Sequence, residues 1–196
     1  MAKPKIGIDF DDVIMDTFPE FLTFCNERHG ESFRVEEFTS FGYDEVWKIS
    51  KSEFIERFTA FDNSEAKKKI QPMCGAQKVI TKLAERYELH IVTARPVEIS
   101  QSTHEVINEF FSGIFQEVHF CSSDNGAVYH RPKPLACKEI GVIVHIDDQP
   151  ETAKACVQEG VPVLLFDRTW NRSAPAHDSI TRAHSWDEIF QILCQK

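Results

Sequence analysis

Two kinds of sequence alternate along this chain, and that alternation limits the fold more than any other feature. Short β-rich runs lie at residues 5–10, 88–93 (ELHIVT), 117–120 (EVHF), 142–147 (VIVHID) and 162–166 (PVLLF). Between them apolar residues recur at helical spacing, as in Val79, Ile80, Leu83, Ala84 and Tyr87, and again in Val106, Ile107, Phe110, Phe111 and Ile114. Strands separated by helices build βαβ units around a parallel sheet. Near-continuous apolar runs such as Val142 to Val144 suit strands covered on both faces. The chain reads as α/β.

One interval breaks the rhythm. Residues 16–74 read as helical throughout, with Phe18, Phe21, Leu22 and Cys25 at helical spacing, Pro19 near a helix start and Gly30 past its end. A second helix is expected around Ser52 to Phe61. Eleven of the 22 aromatics fall between Phe18 and Phe61, enough for a small core of their own. A crossover needs only about a dozen residues, so this segment is an insertion. The expected division is a core of residues 1–15 and 75–196, interrupted by a helical insertion at 16–74.

The formal charge of -9 argues against a nucleic-acid polymer or an anionic membrane as partner, since both need a basic surface. It leaves room for a small phosphorylated substrate whose charge a metal offsets. No apolar run approaches a membrane span and the N-terminus lacks a signal peptide's apolar stretch, so the expected setting is cytoplasmic. The six cysteines form no C-x-x-C pair, and a zinc site is not expected.

Polar signals gather where the strands end. "KIGIDFDDVIMDT" runs a hydrophobic strand into Asp9, Asp11 and Asp12. Like charges this close repel and lose solvation, so a positive partner is called for. Thr93 closes the second strand, Asp147 and Asp148 close the fourth, and Lys133 precedes the helix leading into it. In a parallel sheet the ligand crevice lies at the carboxyl ends of the strands. Side chains two apart on an extended segment share a direction, so Asp9 and Asp11 can face one site while Asp12 faces elsewhere. Converging carboxylates make a hard-cation site, and magnesium is the cofactor expected.

The stretches "DFDDV", "VTARP", "KPLACKEIG" and "IDDQPETA" resemble, in order, the four motifs of the haloacid dehalogenase superfamily of phosphohydrolases. "TARP", "LLFDRTWNR" and an insertion after the first strand look most like its cytosolic-type 5'(3')-deoxyribonucleotidase branch. The resemblance implies a Rossmann-like three-layer fold, a five-stranded sheet in the order 3-2-1-4-5, and a helical cap at 16–74. It implies Asp9 as nucleophile, Asp11 as general acid and base, and Thr93 and Lys133 holding the phosphoryl group. Magnesium would be bound by Asp9, Asp148 and the main-chain carbonyl of Asp11, with Asp147 orienting Lys133 or the metal's surroundings. Arg95 would bind substrate phosphate or a neighbouring carboxylate. The implied activity is hydrolysis of a phosphate monoester, a nucleoside or deoxynucleoside monophosphate above other metabolites.

Other readings of the same residues stay open. Asp147, Asp148 and Thr93 each suit a helix cap, and Lys138 competes with Lys133. Many relatives have Gly at the position of Asp12, which is either solvated or a further metal-directed carboxylate. Phe38, Phe41, Tyr43 and Trp47 either stack a base or pack the insertion. His90, His119 and His145 read as buried strand residues. A sugar-phosphate phosphatase, a mutase, a non-catalytic binding protein and a phospho-accepting switch are the rival functions.

Overall fold

The computed structural model describes residues 2–40, 43–121 and 131–194. Six parallel strands form one sheet: β1 (Lys5–Ile8), β2 (Glu88–Thr93), β3 (Glu117–Phe120), β4 (Val142–Asp147), β5 (Val163–Phe166) and β6 (Ile180–Ala183). Their order is β3-β2-β1-β4-β5-β6. The first five follow the expected order, and β6 adds a strand that the sequence reading lacks. Its residues, Ile-Thr-Arg-Ala, form a short edge and carry no apolar run to announce it.

The helices lie on both faces. Buried residues of α4 (Ala76–Arg86), at Ala76, Val79, Ile80 and Leu83, make one continuous stripe. They share a core with Ile107 and Phe111 of α5 (Ser100–Phe111) and Trp186, Ile189 and Leu193 of α8 (Trp186–Cys194). On the opposite face Ala136 and Cys137 of α6 (Lys133–Ile140) pack with Ala153 and Cys156 of α7 (Pro150–Gln158) over Val92, Val163 and Leu165. β1 sits at the centre, paired to β2 on one side and β4 on the other. Gly7 permits that pairing, because a Cβ there would meet His145 Nδ1 at 3.0 Å.

Residues 16–74 carry α1 (Thr17–His29), α2 (Tyr43–Val46) and α3 (Lys51–Asp62), with short 3-10 turns at Val35–Glu37 and Glu65–Lys69. The segment is thus not helical throughout, since extended links join these pieces. α1 ends where Gly30 turns left-handed at φ 67°, as only glycine does readily. Phe21 packs against the rings of Trp47, Phe54, Phe58 and Phe61 at centroid distances of 5.3 to 5.6 Å. Among the described residues no helix is long and apolar enough to cross a membrane.

Candidate active site

The loop after β1 delivers three carboxylates to three different cations. Asp9, nearly fully buried, accepts a hydrogen bond from its neighbour's N–H at Phe10 (2.7 Å), and its other oxygen lies 2.7 Å from Lys133 Nζ. Asp11 takes a two-pronged contact from Arg95, Nε to Oδ2 at 2.8 Å and Nη2 to Oδ1 at 2.7 Å, and a hydroxyl from Thr17 at 2.7 Å. Asp12 accepts from the Phe18 N–H at 3.0 Å and from Arg168 at 3.3 Å. Asp9 and Asp11 therefore do not converge through their carboxylates on one point, because Arg95 holds Asp11 to one side.

The acidic pair after β4 completes the cluster. Asp147 Oδ2 accepts from Lys133 Nζ and from His145 Nε2, both at 2.9 Å, while its Oδ1 accepts from the Gln149 N–H at 2.8 Å. It thus serves the turn into α7 and the lysine at once. Asp148 Oδ2 accepts from the Trp170 indole at 2.7 Å. Asp9, Asp147 and Asp148 each place a carboxylate oxygen within 4.8 Å of the others. Lys133 lies at the start of α6 and is buried at this point, whereas Lys138 pairs with Glu159 on the exposed side of the helix.

The electrostatics follow from burial. Burial pushes the Asp9 carboxyl up to about 8; Lys133 opposes this, but the charges of Asp147 and Asp148 add to it. Asp148 is raised well above its ordinary value, chiefly by burial and by Asp147 beside it. Asp147 moves the other way despite its own burial, because Lys133 and His145 both favour its charged form. Asp11 is likewise held below the usual carboxylate range against its burial, by the charge and hydrogen bonds of Arg95. Thr93, buried at the end of β2, accepts from the Arg95 N–H at 3.1 Å.

Several groups here were not singled out from sequence. Arg168 bridges Asp12 and Asp16, the latter at 2.9 Å, and lies over the Trp170 ring at 5.0 Å. Asn171, fully buried, donates to the main-chain oxygens of Asp148 (2.8 Å) and Phe166 (2.7 Å). The loop after β5 thereby grips both acidic motifs; the stretch "LLFDRTWNR" pointed to a family in sequence, but not to which of its side chains do so. Asp12 is a partly buried, paired residue rather than a solvated one, and burial pushes its carboxyl up to about 7. Of the four aromatics weighed for base stacking, Phe38 and Trp47 are buried against one another and neighbouring rings of the insertion. Phe41 and the Tyr43 side chain lie outside what is described.

Similarity to known proteins places this arrangement in a family. The family model described as "5' nucleotidase, deoxy (Pyrimidine), cytosolic type C protein" matches residues 3–196. A nucleotidase of Clostridium acetobutylicum is 24% identical, over 98% of this chain and 95% of its own. Among solved structures, a protein of Clostridium acetobutylicum described as "a predicted phosphatase" aligns over 100% of both chains with a TM-score of 0.71 at 12% identity. A haloacid dehalogenase-type hydrolase of Bacillus subtilis, solved bound to magnesium, aligns over 98% of this chain and 99% of its own with a TM-score of 0.61 at 18% identity. The two structural likenesses speak for the fold; the family match covers almost the whole chain and speaks for the activity. The chain belongs to this nucleotidase family of haloacid dehalogenase-like proteins and is a phosphoric monoester hydrolase.

Proposed function

We propose that the protein hydrolyses nucleoside or deoxynucleoside monophosphates with Asp9 as nucleophile and magnesium at the acidic cluster. The observation that carries this reading is a local imbalance of charge. Asp9, Asp147 and Asp148 share a single ammonium, that of Lys133, while Arg95 and Arg168 are engaged by Asp11 and Asp12. Ionising all three carboxylates leaves two negative charges uncompensated, which is what a divalent cation offsets. Oxygen donors alone fit magnesium. Asp9, Asp148 and the Asp11 carbonyl would hold it, and when bound it supplies the positive charge that lets a carboxylate approach an anionic phosphate.

The chain's own residues then divide the work. Asp9 attacks phosphorus, forming an acyl phosphate as the bond to the nucleoside oxygen breaks. Asp11 gives that oxygen a proton, and later takes one from the water that cleaves the acyl phosphate, releasing phosphate and restoring Asp9. Lys133 and Thr93 hold the phosphoryl oxygens. Arg95 favours ionised Asp11, the form the second step needs. For the first step Arg95 must release an Asp11 oxygen, and an arriving phosphate is the natural competitor for its guanidinium. The helical segment at 16–74 acts as a cap, and the cytoplasmic setting of this reading agrees with six free cysteines.

Phosphate release from a panel of nucleotides, deoxynucleotides and sugar phosphates, with magnesium and then with chelator, tests the proposal. Nucleoside monophosphates should be preferred, and Asp9→Asn should lower turnover by at least ~10⁴-fold with the fold intact. Preferred release from sugar phosphates would reassign the substrate. Normal turnover by Asp9→Asn would overturn the mechanism.

A further inference from the structure

A second cluster of metal-binding groups lies away from the acidic site, where the first halves of β2 and β3 run side by side. Glu88 and His90 project from one face of β2, and the register sets His90 opposite Glu117 and Val92 opposite His119. His90 Nδ1 lies 3.1 Å from His119 Nε2, which lies 3.6 Å from Glu117 Oε2. One ligand atom from each of these three residues falls within 4.8 Å of the others. Two nitrogens bound to one tetrahedral zinc at 2.0–2.1 Å stand about 3.3 Å apart, so their separation need change by only about 0.2 Å, with the rings turning to bring both lone pairs onto the ion.

The other nitrogen of His90 supplies an independent argument. His90 Nε2 lies 2.9 Å from Glu88 Oε1. A carboxylate there keeps the proton on Nε2 and leaves the Nδ1 lone pair aimed at His119, the arrangement in which an outer carboxylate orients a metal-binding histidine. Without an ion, His119 Nε2–H donates into that lone pair; with an ion, His119 takes the tautomer that carries its proton on Nδ1, which frees Nε2 as a ligand. Burial also holds His119 below its usual pKa, against the pull of Glu117 and together with His90, Arg131 and Lys5, which favours the neutral ring that a ligand needs.

The surrounding charge permits a cation. Lys5 stands 3.7 Å from Glu88, and Arg131 pairs with Glu139, so Glu88, Glu117 and Glu139 face two basic groups. A cavity of about 530 Å³ opens against His90, Glu117 and His119, leaving room for water as a fourth ligand. Imidazole with carboxylate suits zinc, cobalt or nickel rather than magnesium. We propose that His90, His119 and Glu117 bind a zinc-class dication across the β2–β3 edge, with Glu88 as the positioning residue. The absence of C-x-x-C pairs, which set zinc aside in the sequence, says nothing about this site, because its histidines meet only through strand register.

The test uses the full chain in excess magnesium, so that the acidic cluster is occupied, with cobalt followed by visible absorption and zinc by calorimetry. One equivalent should bind, with the ligand-field bands of a four- or five-coordinate cobalt ion. His119→Gln and Glu117→Gln should each weaken binding at least ~10-fold, and Glu88→Gln by about 10–100-fold. Glu117 is 64% exposed, so its substitution leaves the fold unaffected, as circular dichroism would verify. Asp148→Asn should leave this binding unchanged, which separates the result from the fate of the phosphatase mechanism. Absence of saturable uptake would overturn the proposal. So would uptake unaffected by Glu117→Gln and His119→Gln, or uptake lost in Asp148→Asn.

Discussion

Asp12 sits at φ 59°, in the left-handed region where a side chain costs energy and glycine costs none. A glycine at this position would keep the turn, while the aspartate adds a bridge to Arg168 that glycine cannot make. Asp12→Ala should therefore be less stable than Asp12→Gly by about 1 kcal/mol in urea denaturation, because both lose the bridge and only alanine keeps the strain. Trp170 acts on a neighbouring carboxylate in a different way, by fixing one Asp148 oxygen. Trp170→Phe keeps the ring packed near Phe18, whose centroid is 5.2 Å away, and deletes the donor. Magnesium affinity, read by calorimetry, should fall by about 10–100-fold. Asp9, Asp147 and Asp148 could be picked out from sequence because each falls at or beside a strand end, and Lys133 because it opens the helix that leads into β4. Arg168, Trp170 and Asn171 could not, since their partners lie more than a hundred residues away or depend on how the loop after β5 folds back.

Among the elements, the insertion is the one richest in ring-to-ring contacts, although its buried residues join the cluster that also holds Ile6, Ile8 and Val79. Phe21 touches four aromatic rings drawn from the stretch 47–61, so Phe21→Ala should cost about 3–5 kcal/mol. Limited proteolysis should then cut within 16–74 before it cuts the sheet; cleavage in the sheet first would show that the two parts melt as one. The strong elements were legible because their apolar residues repeat over several turns, as at Val79, Ile80 and Leu83, or run along a central strand, as at Val142 to Val144, although that run is not covered on both faces as expected, Ile143 being 50% exposed. β6 was not, because an edge strand is covered on fewer sides and tolerates Thr181 and Arg182. Arg182 is there for a local reason, donating to Asp167 at 2.8 Å and to Asn171 Oδ1 at 2.6 Å. The aromatic richness of the insertion was plain in sequence, but composition cannot distinguish rings that face a ligand from rings that face one another.

For the molecule as a whole, the buried carboxylates link stability to pH. Asp9 and Asp12 have folded-state pKa values near 8 and 7, both above the ordinary 3.8, so their contribution is fully present at low pH and is lost as pH rises toward 8. Asp11 and Asp147 are lowered, and theirs is lost on acidification below the ordinary carboxylate range. In chelator the melting temperature should fall by several degrees from pH 6 to pH 8.5, and magnesium should remove most of that fall. A melting temperature flat across this interval in chelator would show that the acidic cluster is not strained. The central place of β1 has a further consequence, for synthesis. Lys5–Ile8 leaves the ribosome first among the strands, yet its β4 partner begins at Val142, and the Val13 carbonyl waits for the Trp186 indole to reach it at 2.9 Å. At roughly 5–20 residues per second, the middle of the sheet stays without one neighbour for on the order of ten seconds. During that time Ile6 and Ile8 are exposed strand edge, so the nascent chain should be a client of holding chaperones even though the finished enzyme hides both residues completely.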